Sequence, residues 1–141
     1  MLIGEYSGKL AEKNRTALPK KLRDELKGTM YMTRGYEQCI LVLDEKRWQM
    51  LLRTIEIKPF LHQTIRDTKR FLLGGASEIQ LDSQGRCMIP AHLQEYGAIE
   101  KDLVFVGVGD WIEIWNLDTW NSKIAELSNS AADIAERLGQ N

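Results

Sequence analysis

Leu10-Ala11-Glu12-Lys13-Asn14-Arg15-Thr16-Ala17-Leu18-Pro19 and, 71 residues later, Leu81-Asp82-Ser83-Gln84-Gly85-Arg86-Cys87-Met88-Ile89-Pro90 read as two versions of one motif. Leucine, arginine and proline coincide, Asn14 faces Gly85, and Leu22 faces Leu93 three places past the proline. A repeat changes the reading of a fold, because neither copy has to close a core alone. In each copy an extended segment (6–10 or 77–81) leads to a turn at Lys13-Asn14 or Gln84-Gly85. Glycine takes positive φ freely and asparagine is among the residues that tolerate it, so both turns can hold a left-handed residue. Residues 16–18 and 87–89 make the return strands. Pro19 and Pro90 suit the first turn of a helix, where a missing N–H costs nothing.

Working outward, short helices are expected over 20–26 and 91–96, closing near Gly28 and Gly97. Two strands follow in each copy, 30–33 with 39–43 and 103–106 with 112–115. Between them Arg34-Gly35-Tyr36 lies over Val108-Gly109-Asp110 at an offset of 74. Asp44 and Asp118 are the expected N-caps of helices over 45–57 and 119–127, which carry Trp48 and Trp120. Lys58-Pro59-Phe60 interrupts the chain, and 62–73 reads as a connecting helix ending at Gly74-Gly75. The tail spaces Ile134 and Leu138 four apart beside Ala131 and Ala135, a thinly amphipathic helix. The organisation is thus a first repeat (1–57), a connecting helix (58–75), a second repeat (76–127) and a helical tail (128–141). One unit of about 40 residues buries too little surface to be stable alone. Two interlocked units make one α+β fold: a shared, swapped-hairpin β core about a pseudo-twofold axis, with helices outside.

Bulk properties narrow the function. Of 141 residues, 43% are hydrophobic and 28% charged, ordinary for a soluble globular chain. No apolar run approaches the roughly 18 residues of a membrane span, and Met1-Leu2-Ile3-Gly4-Glu5-Tyr6 lacks the features of a signal peptide. Cys39 and Cys87 form no CxxC, so a reducing, cytoplasmic setting is the default. Net charge is −1, but its distribution is uneven. Lys9, Lys13, Arg15, Lys20, Lys21 and Arg23 stand against Glu12 alone, a net of +5, whereas residues 76–118 hold eight acids against Arg86 and Lys101, a net of −6. That polarity points to one anion-binding face on an acidic body.

Catalysis is not expected. His62 and His92 read as surface residues, and no Ser–His–Asp order, HExxH, Walker A or dinucleotide glycine pattern occurs. No metal, cofactor or small-molecule substrate is called for. Cys39 and Cys87 fall in apolar strands and read as small core residues. Trp48, Trp115 and Trp120 could stack on bases, but the recurrence of Trp48 and Trp120 at the same place in both copies suits packing better. Trp111, at a turn, is the candidate for an exposed contact.

These residues resemble the MraZ family, relatives of the AbrB and SpoVT swapped-hairpin DNA-binding proteins. The family's mark is DxxxR, present twice per chain, commonly within L-D-x-K-G-R-x-x-x-P. Asp82, Gly85, Arg86 and Pro90 match it; the first copy keeps Lys13, Arg15 and Pro19 but has Ala11 for aspartate and Asn14 for glycine. Gly4-Glu5-Tyr6, Thr33-Arg34-Gly35, Gly75-Ala76-Ser77-Glu78, Val106-Gly107-Val108-Gly109-Asp110 and Ile112-Glu113-Ile114-Trp115 also resemble the family, so the likeness covers residues 1–122. It implies a cytoplasmic, nucleoid-associated regulator of the division and cell-wall gene cluster. It also implies a ring-like homo-oligomer on repeated boxes of promoter DNA.

The site residues follow from the basic cluster. Arg15 can grip a guanine edge or a phosphate through two parallel hydrogen bonds. Lys13 points the same way, and Lys9, Lys20, Lys21 and Arg23 would supply phosphate contacts that position without reading sequence. The alternative for Arg15 is an internal partner in its own hairpin, and Glu12 is the acid at hand. Asp82, Gly85, Arg86 and Asn14 are read as structural members of the motif, Asp82 and Arg86 as a pair. The competing function is an oligomeric scaffold or inhibitor of a partner enzyme, with DNA binding incidental.

Overall fold

The computed structural model describes residues 1–56 and 61–140; the Lys58-Pro59-Phe60 break and the boundary at residue 57 lie outside the described residues. In chain order the elements are β1 (Leu2–Lys9), β2 (Arg15–Ala17), α1 (Lys20–Arg23), β3 (Met30–Arg34), β4 (Ile40–Asp44), α2 (Glu45–Ile55) and α3 (Gln63–Leu72). There follow β5 (Ser77–Ile79), β6 (Arg86–Met88), α4 (Ala91–Tyr96), β7 (Asp102–Gly109), β8 (Ile112–Asn116) and α5 (Leu117–Gly139).

The two repeats exchange their first strands. A six-stranded antiparallel sheet runs β1-β7-β8-β4-β3-β5, and β2 pairs with β6 as a separate two-stranded ribbon. Thus β1 of the first repeat completes the β7–β8 hairpin of the second, while β5 of the second completes the β3–β4 hairpin of the first. Swapping the labels of the two repeats reverses the strand order and returns the same sheet, which puts a pseudo-twofold axis between β4 and β8. This is the α+β swapped-hairpin core expected from the sequence.

Strand alternation sorts side chains into two cores. β4 reads Ile-Leu-Val-Leu-Asp and is buried along its whole length. Ile40 and Val42 face an inner core with Leu2, Leu18, Leu22, Ile89, Leu93 and Phe105. Leu41 and Leu43 face an outer one with Trp48, Trp115 and Trp120. The ribbon and the short helices α1 and α4 close the inner core, and α2, α3 and α5 lie over the outer one. Trp48, Trp115, Trp120, Cys39 and Cys87 are all buried, as packing residues should be. Leu22 and Leu93, each a turn past its proline, are nearly inaccessible; truncating either to alanine should cost about 2–5 kcal/mol.

Three local features differ from the sequence reading. α1 spans only Lys20–Arg23, continuing as turns to Leu26. Asp44 caps α2, its Oδ1 accepting from the Arg47 amide at 3.1 Å, but the cap of α5 is Asn116, whose Oδ1 accepts from the Thr119 amide at 3.1 Å. β8 runs straight into that helix, so Asp118 falls inside its first turn. The helices expected over 119–127 and 128–141 are one, α5, because nothing between Leu127 and Gly139 breaks the i→i−4 ladder. Ser128-Asn129-Ser130 is weakly helical but sits in a helix already nucleated and packed upstream.

Candidate nucleic-acid interface

The ribbon carries the motif arginines. Its register pairs Arg15 with Met88, Thr16 with Cys87 and Ala17 with Arg86. Thr16 and Cys87 point inward and are buried, and burial pushes the Cys87 thiol up to about 11. Alternation therefore turns Arg15, Ala17, Arg86 and Met88 outward on one exposed face. The two arginines lie diagonally across it, related by the pseudo-twofold.

Each end of the ribbon is tied to the loop of the other repeat. The Leu18 amide donates to the Gly85 carbonyl at 3.0 Å, and the Ile89 amide donates to the Asn14 carbonyl at 2.9 Å. Both accepting residues are left-handed, Asn14 at φ 58° and Gly85 at φ 76°. Lys13 is left-handed too, at φ 60°, inside a single 3-10 turn.

The loops are braced differently. In the second, Asp82 Oδ1 accepts from the amides of Gln84 (2.8 Å) and Arg86 (2.9 Å), and Oδ2 accepts from Arg86 Nε at 2.9 Å. The Arg86 amide, then the Arg86 guanidinium and the Gln84 amide, hold the Asp82 carboxyl below the usual range. The guanidinium meets Asp82 through Nε. In the first loop Ala11 offers only its backbone, its amide donating to the Arg15 carbonyl at 2.7 Å. Arg15 forms no ion pair with Glu12 or with any other acid among the described residues.

The remaining basic residues divide. Lys13 and Lys21 are exposed and make no ion pair among the described residues. Lys9 lies 3.5 Å from Asp102 and Lys20 lies 2.7 Å from Asp24, both on open surface where such pairs exchange readily for another anion. Arg23 is half-buried and crosses between repeats: its Nη1 donates to the Gln84 carbonyl at 2.9 Å, directly over Gly85. A Cβ on Gly85 would sit 1.4 Å from that nitrogen. The sequence reading missed this brace; its one trace was glycine at 85 where the first copy has asparagine.

Other candidates settle elsewhere. His62 and His92 are exposed, with His92 Nε2 2.9 Å from the Gly75 carbonyl. Trp111 is half-buried rather than open, packed on the outer core with its Nε1 donating to Glu113 at 3.1 Å. The partner carboxylate oxygen accepts from Trp115 Nε1 at 2.9 Å. Among the described residues no group of three or more His, Cys, Asp or Glu could hold a metal ion, and no helix is long and apolar enough to cross a membrane.

Comparison with known proteins agrees with this architecture. The sequence pattern of a family described as "MraZ protein, putative antitoxin-like" matches twice, over residues 1–71 and 72–141, the same division as the 71-residue offset. Two similar proteins, from Syntrophomonas wolfei and Carboxydothermus hydrogenoformans, are each 36% identical over 138 residues, covering 98% of this chain and 96% of the relative. Another, from Salinispora tropica, is 37% identical over 136 residues, covering 96% of each. All three bear the name transcriptional regulator MraZ, a regulator's name and not an enzyme's. With a repeat, a swapped core and near-full-length similarity in agreement, the chain belongs to the MraZ family.

Proposed function

We propose that this protein is a sequence-specific regulator of transcription that lays the β2–β6 ribbon in the major groove of promoter DNA. One observation carries the reading: Arg15 and Arg86 stand outward on one face of a two-stranded ribbon. The major groove admits such a ribbon, and an arginine fork matches the O6 and N7 acceptors of guanine. Arg15 is free to make that contact. Arg86 keeps its terminal nitrogens for it while Asp82 steers the side chain through Nε. Lys13 and Lys21 contact phosphates, Lys9 and Lys20 join them by exchanging a surface carboxylate for a phosphate, and Arg23 serves as the brace of the second loop. Relatives named as regulators of transcription support this reading. Its finer parts are a cytoplasmic, nucleoid-bound protein, a closed homo-oligomer, and repeated boxes upstream of division and cell-wall genes.

The test is retardation of the protein's own upstream fragment against an unrelated fragment of equal length. The upstream fragment should shift at much lower protein concentration. Two engaged subunits, each placing two to four of these lysines on phosphates, should give a slope of log K against log salt of roughly −4 to −7. Equal retardation of both fragments would reject sequence-specific binding. A slope near zero would remove phosphate contacts.

A further inference from the structure

Among the described residues, nothing covers two apolar surfaces of this chain, and they are complementary in form. The first is a groove of about 380 Å³ on the outer face of the sheet. Leu51 of α2 forms one wall, Leu41, Val106 and Trp115 the floor, and Trp111 and Val108 the end near the β7–β8 turn. Leu51 and Trp111 are shared with an adjoining hollow of about 150 Å³ that also takes in Met50. Val108 and Met50 are 44% and 43% exposed, large apolar residues left open at the lip.

The second surface is the end of α5. Trp120, Ile124, Leu127, Ala131, Ile134 and Leu138 follow one another at spacings of 4, 3, 4, 3 and 4, the heptad rhythm of a helix that packs along one seam. The first half of the seam packs on this chain's own outer core, and Trp120 and Leu127 form the groove's other wall. From Ala131 onward every described residue is exposed, including Ile134 and Leu138.

The helix cannot bring its end back to its own groove. It is unbroken from Leu117 to Gly139, and at 1.5 Å per residue Leu138 lies about 16 Å beyond Leu127. Each chain thus presents one convex apolar ridge and one concave apolar groove that are out of reach of each other but matched in number.

We infer that the 131–138 ridge of one copy seats in the Trp111–Val108 groove of the next. This rests on the homo-oligomer proposed above and adds its contact. The seam of the arriving helix continues the seam that lines the groove, so the occupant is a second copy of this chain. The contact is head-to-tail, each copy giving a helix on one side and receiving one on the other; repeated, it closes a ring or extends a filament.

Light scattering on unliganded protein at one fixed concentration tests the contact. Ile134→Glu/Leu138→Glu keeps the groove but charges the ridge; Val108→Arg keeps the ridge but blocks the groove. All three positions are exposed, so both variants should keep the parent's near-ultraviolet spectrum; Met50→Glu is a second groove variant on α2 should Val108→Arg alter it. Each variant alone should be a 16.2 kDa monomer, with subunit dissociation raised at least a hundredfold. Mixed, the ridge variant and the groove variant should form a one-to-one pair and nothing larger, because only one intact contact remains. Assembly of any single variant like the parent, or a mixture that stays monomeric, overturns this contact and leaves the homo-oligomer standing. A monomeric parent overturns both.

Discussion

Replacing Gly85 by the asparagine that occupies the matching place in the first repeat should destabilise the protein about twice as much while Arg23 is present as when it is absent. Left-handed backbone at φ 76° costs a residue with a Cβ about 1–2 kcal/mol, and asparagine less than most. The larger effect is steric. A Cβ at this position would lie 1.4 Å from Arg23 Nη1, so the guanidinium must leave and its 2.9 Å bond to the Gln84 carbonyl is lost. At a half-exposed site that bond is worth about 1 kcal/mol. Gly85→Asn should therefore cost about 2 kcal/mol and Arg23→Gln about 1. The double variant should cost about 2 rather than 3, since one bond cannot be lost twice. The pseudo-symmetric place already holds the relaxed combination: Gln94 of the second repeat, at the place of Arg23, donates to the Ile89 carbonyl at 2.7 Å, and Asn14 of the first sits at φ 58°. Urea unfolding of the four proteins at one fixed concentration measures the coupling. Strict additivity, within about 0.3 kcal/mol, would show that Arg23 does not lie over Gly85 in solution.

Arg15→Ala should weaken specific DNA binding by about 1–3 kcal/mol per engaged subunit and leave melting unchanged, because the side chain has no ion pair among the described residues to lose. Arg86→Ala should lower both binding and melting temperature, since it leaves Asp82 without its guanidinium; unchanged melting would contradict the brace. Asp82 itself titrates below its unfolded value, so its stabilising effect is present above the unfolded pKa and is lost as pH falls through the folded one. Carboxyl NMR should place that midpoint below about 3.9, and a midpoint at or above it would contradict the two amide bonds. Thr16 is buried with its hydroxyl unpartnered among the described residues, so the isosteric Thr16→Val should be neutral or stabilise by up to about 1 kcal/mol in thermal unfolding.

The doubled motif made the pairing of elements legible: an offset of 71 relates the loops, the prolines and the leucines behind them, and the family pattern matches the same halves. Alternation in β4 and β8 sorts the two cores, because one strand face carries isoleucine and valine while the other carries leucine or tryptophan. Less legible was anything decided across the pseudo-twofold. Arg86 shares a face with Arg15 only because β2 pairs with β6, and neither hairpin's own pattern encodes that register. Arg23 belongs to a basic run and read as a phosphate contact; its reach into the other repeat depends on a distance of 61 positions along the chain. Asn116 and Asp118 both fit an N-cap by residue type, and the exit direction of β8 chooses between them.

Fusing two swapped repeats into one chain removes a constraint that a symmetric dimer must obey. In a homodimer both loops carry the same residues, so an acid that steers one arginine steers both. Here the two loops can diverge, and they have: Asp82 holds Arg86 by Nε, whereas Arg15 forms no ion pair among the described residues. One ribbon face thus presents a steered arginine beside an unsteered one. The steered side chain is pre-ordered and loses little rotamer freedom on meeting a base; the unsteered one loses more but can adjust to either a base or a phosphate. Ala11→Asp would place an acid at the same distance from Arg15 as Asp82 is from Arg86 in sequence, giving the face two steered arginines. Binding to the upstream site should then change in base preference at the position read by Arg15, with little change in salt slope, because no phosphate contact is added or removed. Retardation against a set of single-base variants of the site measures this directly. An unchanged preference profile would mean that Arg15 contacts the backbone rather than a base.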